Sequence, residues 1–188
     1  MAPTAKYTSM FPSSKWYIIR KIDRLLKYRT RRPEHTDYID KIRDDLEDIF
    51  INNCAGYIFF NQKHYKKLIR KWVSSFLHDY HKSDIKNHNI HGNQLYANYL
   101  WHAFSYQLLP CITDKQATLA FDRTNKTSCY LLLNNSSIAY ELHHCEKLTA
   151  DIINQYDDIL IFDLDFTWCY CHTHEAYCGP YFYQKTDE

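Results

Sequence analysis

The sequence predicts an α+β fold, with N-terminal helices packed against a mainly antiparallel sheet formed by the C-terminal half. Three observations predict it. Apolar residues recur at helical spacing up to Phe76; short runs rich in β-branched and aromatic residues cluster after Thr127; and polar or turn-forming segments separate these runs. The chain has 188 residues, 45% hydrophobic and 24% charged, so it can bury a core of its own and need not be disordered. Two parts are expected: a helical hairpin extension over 1–59 and an α+β domain over 60–188.

The elements follow in order. Ser13-Ser14 caps a helix running to about Thr30, with Ile18, Ile22, Leu25 and Leu26 on one face, and Arg31-Arg32-Pro33 ends it. Thr36 caps a second helix carrying Tyr38, Ile42, Leu46, Ile49 and Phe50. The first is basic and the second acidic, as in an antiparallel hairpin. Asn61 opens a third helix, where Tyr65, Leu68, Ile69, Trp72, Val73 and Phe76 keep the i, i+3, i+4, i+7 pattern. Residues 81–94 read as a polar loop. Residues 95–106 are aromatic throughout and fit helix or strand equally. Thr113 or Asp114 caps a short helix to Phe121, and Thr149 another. Strands are expected at 128–133, 138–143, 158–166 and 167–174. Gly179-Pro180 suits a turn or the start of an edge strand, bringing Tyr181 and Phe182 back onto the core as a clasp.

Charge is unevenly spread although the net is only +1. Residues 1–33 hold nine Lys/Arg against Asp23; residues 34–48 hold seven acids against Lys41 and Arg43; residues 141–188 hold ten acids against Lys147 and Lys185. The first two blocks read as neighbouring elements that pack on each other, and the last as a surface for a charged partner. The segment K-H-Y-K-K-L-I-R-K (63–71) interleaves cations with aromatics, but it reads as the solvated face of an amphipathic helix. No nucleic-acid-binding signature accompanies it, so nucleic acid is not the expected partner. No apolar leader opens the chain and no run reaches the ~20 residues of a membrane span. A cytoplasmic location is therefore expected, with the seven cysteines reduced.

The stretch T-W-C-Y-C-H-T-H-E-A-Y-C-G-P-Y-F (167–182) concentrates possible chemistry. Cys169, Cys171 and Cys178 are candidate zinc ligands by type. Their spacing argues against a site, because alternation along a strand puts Cys169, Cys171 and Thr173 on one face and Trp168, Tyr170, His172 and His174 on the other. No metal and no cofactor is expected. His102, His174 and Glu175 are the candidate catalytic set, suited by type to general acid–base work if they meet in space. Ser105 lacks the Gly-x-Ser-x-Gly elbow of a hydrolase nucleophile. Trp101, Trp168 and Tyr181 are the candidate binding aromatics.

Several segments, taken in order, carry a resemblance. They are R-K-W-V-S-S-F (70–76), Y-L-W-H-A-F-S-Y (99–106), Cys111 followed by an A-x-x-A-F helix (117–121), C-Y-L-L-L (129–133), D-D-I-L-I-F-D-L-D-F-T-W (157–168) and T-H-E…G-P-Y-F (173–182). Together they resemble a family of small bacterial proteins that carries only a domain-of-unknown-function label. The resemblance covers about residues 60–183. It leaves out residues 1–59, and the cysteines at 169, 171 and 178 are not part of its pattern. It implies a compact cytosolic α+β domain and assigns no catalytic residue.

Small stand-alone domains of this kind sometimes serve as immunity proteins against toxins. The leading expectation is thus a non-enzymatic cytosolic binding protein, of immunity type, whose acidic C-terminal half masks a basic protein partner. The acidic block, the aromatic abundance and the lack of a complete catalytic motif support it. The rival expectation is a hydrolase-type enzyme using His102, His174 and Glu175.

Overall fold

The computed structural model of the chain describes residues 33–77, 99–134, 136 and 138–186. The expected first helix (13–30) and the expected loop over 81–94 lie outside them. The described elements are α1 (Pro33–Asn53), β1 (Gly56–Phe59), α2 (Gln62–Phe76), α3 (His102–Ser105), β2 (Ile112–Thr113), α4 (Asp114–Arg123), β3 (Ser128–Leu133), β4 (Ile138–His143), α5 (Ala150–Ile153), β5 (Ile159–Asp163), β6 (Trp168–His172) and β7 (Tyr181–Gln184). The fold is α+β. The seven strands form one sheet in the order β1-β4-β3-β5-β6-β7-β2, and every pairing is antiparallel.

Both faces of the sheet are covered. One face carries Leu132, Ala139, Leu160, Phe162, Cys169 and Cys171, and packs on α2 and residues 100–109. The other carries Leu131, Tyr140, Leu142, Ile161, Trp168 and Tyr170, and packs on α1, α4 and α5. Cys169 and Cys171 therefore do face away from Trp168 and Tyr170, as strand alternation requires. Burial on both faces also explains why β3 and β5 read as the unbroken apolar runs L-L-L and I-L-I-F rather than as alternating ones.

The helices form where local chemistry allows. Asn61 accepts hydrogen bonds from the N–H groups of Lys63 and His64 and so caps α2. Five residues of α2, Tyr65, Leu68, Ile69, Trp72 and Phe76, are buried along one stripe. Each contributes about 1.5–3 kcal/mol through removal of apolar area from water. Helix α1 begins at Pro33, three residues before the expected Thr36 cap, because proline suits a first helical turn. Helix α5 has no side-chain cap from Thr149; instead Asp122 at the end of α4 accepts the Ala150 N–H at 2.7 Å. The end of α4 is closed by Lys126, whose buried ammonium donates to the carbonyls of Phe121, Thr124 and Asp122 at 2.9, 3.1 and 3.3 Å. A cation among terminal carbonyls is favoured by the helix dipole.

Residues 33–59 are woven into this architecture. Strand β1 pairs with β4, and Leu46 and Phe50 of α1 are fully buried in the second core cluster. The Glu47 carboxylate accepts hydrogen bonds from Tyr57 and Tyr140, each at 3.1 Å, and lies 3.7 Å from the Arg43 guanidinium. This ties α1 to β1 and β4 at once. At the other end, Gly179 has φ of 92°, a conformation L side chains rarely adopt, and a Cβ there would meet the Tyr181 ring at 3.0 Å. Strand β7 follows, with Tyr181 and Phe182 buried between β6 and β2. Among the described residues no helix is long and apolar enough to cross a membrane.

The Glu47 network yields a first prediction. Glu47→Ala leaves the buried Tyr140 hydroxyl without its acceptor, while Arg43 keeps Asp40 at 3.2 Å and Asp44 at 3.4 Å, and it lowers stability in urea denaturation by about 2 kcal/mol. Asp44→Ala, at an exposed position of the same helix, changes it by less than about 0.5 kcal/mol. Equal effects would show that α1 is not held by this network.

Candidate active site

The segment from Tyr99 to Tyr106 is fixed by what it buries. Leu100, Trp101, Ala103 and Phe104 lie in the core, so the rest of this short helical stretch must face outward. His102 and Ser105, at i and i+3, share that outward side, and His102 Nδ1 lies 3.2 Å from Ser105 Oγ. The His102 ring is flanked by Trp101 at 4.0 Å and Tyr106 at 4.9 Å between centroids.

His174 arrives from the opposite side of the chain. It follows β6 by two residues, in a turn whose shape is set by Thr173: the buried Thr173 hydroxyl donates to the Cys178 carbonyl and accepts from the Glu175 N–H. The register of β5 with β6 pairs Ile159 with His172, which carries Asp158 on to the level of Thr173, next to His174. Asp158 Oδ1 accepts from His174 Nδ1 at 2.7 Å and from the His174 N–H at 3.3 Å. Asp158 itself sits in the left-handed region at φ 55°, which aspartate tolerates better than most residues. Its two bonds set the imidazole so that Nε2 is the free nitrogen, 4.0 Å from Glu175 Oε1.

Both histidines meet the same two rings. His174 lies 5.8 Å from Trp101 and 5.4 Å from Tyr99, and Tyr99 lies 5.8 Å from His102. The distances to the shared Trp101 ring bound the two imidazoles at under about 10 Å apart, within reach of one small ligand. The candidate catalytic residues His102, His174 and Glu175 thus come together. The pKa of His102 is lowered by burial, against which the Glu175 carboxylate acts to raise it. The pKa of His174 is raised, chiefly by its hydrogen bond to Asp158. Neighbouring histidines are driven in opposite directions because one is partly desolvated and the other is paired with a carboxylate.

The remaining candidates lie elsewhere. Trp101 is buried beneath the site, while Trp168 and Tyr181 are buried core side chains. Cys169 and Cys171 are fully buried thiols with pKa values driven up by desolvation, and Cys178 lies in the turn after His174 with its thiol 3.4 Å from Glu175. Among the described residues no group of three or more His, Cys, Asp or Glu is arranged to hold a metal ion. His172 is committed on the other face to the Tyr156 carbonyl at 3.0 Å. A cavity of about 750 Å³ opens at the far end of β5, lined by Arg123, Asp163, Trp168 and Phe182 among others, away from the histidines. Sequence reasoning missed Asp158. The signal was available: an antiparallel hairpin of the two last long strands sets the start of one beside the end of the other.

A family model described as a domain of unknown function, DUF4275, matches residues 58–182. The chain belongs to this family. No curated protein and no solved structure matches it. The DUF4275 match spans every residue of the site, from Tyr99 to Glu175, and begins within β1.

The opposed pKa directions predict the behaviour of the two DUF4275 histidines in solution. In an NMR titration of the imidazole resonances, His174 titrates above about 6.5 and His102 below it. Asp158→Asn brings the His174 value down while leaving His102 below 6.5. Coincident titration of the two in the unmodified protein would contradict the geometry.

Proposed function

We propose that the chain is a hydrolase-type enzyme whose proton transfers run through His102 and His174. The observation that carries this reading is the convergence of the two imidazoles on the Tyr99 and Trp101 rings with their proton affinities pushed apart. Titratable neighbours with separated pKa values are the general signature of an acid and a base at work on one substrate. His102, favoured neutral, accepts the proton of the attacking group. His174, whose protonated form is favoured by its hydrogen bond to Asp158, delivers a proton from Nε2 to the leaving group. Glu175 beside Nε2 favours the imidazolium. Such transfers contribute about 10²–10⁴-fold to rate.

The separation has the productive sign. The base must be deprotonated and the acid protonated, so activity falls below the His102 pKa and above the His174 pKa. Between them the working protonation state is also the dominant one. A panel of p-nitrophenyl esters, anilides and phosphoesters assayed across pH tests this. A bell-shaped profile is expected, with a loss of about 100-fold in His174→Asn and in His102→Asn. Absence of turnover on every substrate class by the unmodified chain would sink the reading.

A second reading has its own observation. Tyr177, two residues from Glu175, is fully exposed, and Tyr106 on the same side is 43% exposed. Aromatic rings rimmed by carboxylate suit a basic protein surface, so the face serves equally a cytoplasmic, non-enzymatic binding protein of bacterial immunity type. The wider acidic block supports this less than its composition suggests. Asp158 is engaged with His174, Asp163 with the turn before β6, and Glu141 and Glu146 adjoin His143 and His144. Under this reading a basic partner is captured at low salt, released at high salt, and bound at least about tenfold more weakly by Tyr177→Ala. Failure to retain any protein at either salt concentration would remove it.

A further inference from the structure

We propose that Ser105 is the nucleophile of this site and that its substrates are acyl compounds, esters or amides without net negative charge, processed through a covalent acyl-Ser105 intermediate. The inference rests on the acid–base reading above and goes beyond it, since that reading is satisfied by water as the attacking group.

Three observations bear on it. Ser105 Oγ lies 3.2 Å from His102 Nδ1, the reach required of a nucleophile and its base, and the contact is imposed by i, i+3 placement on a stretch anchored by Leu100, Trp101 and Phe104. The missing Gly-x-Ser-x-Gly elbow is therefore no objection, because a buried helical turn does the aiming here. With its proton on Nε2, His102 offers the Nδ1 lone pair to the serine hydroxyl. Second, the Trp101 indole N–H is buried without a hydrogen-bond partner among the described residues, and its ring lies tilted against His102 at 4.0 Å between centroids. An uncommitted donor on the ring that adjoins His102 would serve a developing oxyanion only where substrate binding brings the acyl oxygen to it, so the nucleophile–base contact carries the proposal and the indole supports it. Third, Asp158 and Glu175 act electrostatically on His102, and Asp157 on His174. Three carboxylates against one imidazolium penalise a phosphate or other anion and leave a neutral or cationic acyl substrate favoured.

The steps balance. Oγ attacks the acyl carbon while its proton passes to His102 Nδ1. The bond to the leaving group breaks as His174 Nε2 supplies a proton to it. Water then attacks the acyl-serine and gives its proton to His174. Oγ departs, recovering a proton from His102, and both histidines return to their starting states.

The test uses the full-length protein and phenylmethylsulfonyl fluoride, whose sulfonyl group is captured by the serine oxygen with loss of fluoride. Intact-mass and peptide analysis is expected to show a single adduct on Ser105. Its formation should quicken with pH as His102 deprotonates and slow about 100-fold in His102→Gln. Ser105→Ala should give no adduct at unchanged denaturation midpoint, which separates chemistry from misfolding. Mixing with p-nitrophenyl acetate should release a burst of one equivalent of nitrophenolate. An unlabelled Ser105, or a Ser105→Ala variant that turns over the ester panel at the unmodified rate, overturns the proposal. In the latter case the acid–base pair survives with water as nucleophile. An inert panel together with an unlabelled serine removes both.

Discussion

Strand β5 is buried on both faces, and that constraint governs the placement of its polar groups. Ile159, Leu160, Ile161 and Phe162 are all fully inaccessible, alternately facing the two core clusters. A carboxylate in that run would lose its hydration with nothing to replace it, at a cost of several kcal/mol. The acids of D-D-I-L-I-F-D are therefore confined to the ends, and each end becomes an organising point. At the exit, Asp163 accepts from the N–H groups of Thr167 and Trp168 at 2.7 and 3.1 Å, which shapes the turn into β6. That turn fixes the register of β6. The register in turn sets His174 beside Asp158 at the entrance. The histidine dyad thus depends on a turn at the other end of the same hairpin.

The second half of the site is held by the same core from the opposite direction. Phe104 stacks on Tyr181 at 5.6 Å and meets the edge of Trp72 at 6.1 Å, so the short helix bearing His102 and Ser105 is pinned between α2 and β7. Two segments far apart in sequence, each locked by apolar burial, present their polar residues to a common edge. A rigid support of this kind is what a site needs if its side chains are to stay within about 0.5 Å of one geometry. Phe166 illustrates how far burial is allowed to dominate. It adopts φ of 59°, unfavourable for an aromatic residue, yet packs fully buried against Phe162 and Tyr130.

Much of this was legible before the structure. Helix α2 could be read residue by residue, because one stripe of its surface faces the core and the rest faces water. The division of Cys169 and Cys171 from Trp168 and Tyr170 followed from the period of a strand alone. Residues 99–106 resisted, since aromatic residues occupy nearly every position and leave no amphipathic period to read. The aromatic anchors misled for a related reason. Trp168 and Tyr181 have the chemistry of interface residues, and only the sheet order, which puts β6 and β7 side by side under α4 or α3, makes them core. Asp158 was hidden among ten acids of a block that looked like surface charge. Lys126 was hidden likewise: its role as a buried plug depends on where α4 ends, and helix ends are the least legible feature of a sequence.

The electrostatics of the site and its contribution to folding point the same way. His174 is charged more readily in the folded chain than in the unfolded one, so its contribution to stability is present at low pH and fades as pH rises through its folded pKa. His102 is the reverse: burial favours its neutral form, and its contribution fades as pH falls through its folded pKa. Neither contribution is large for groups this exposed to water. Their signs matter more than their sizes. The window in which folding opposes neither histidine lies between the two pKa values, and there His102 is neutral while His174 is protonated. A site that needed the opposite assignment would have to hold both groups against the preference of the fold. Here the protonation state that the proposed proton transfer requires is the one the folded chain already favours.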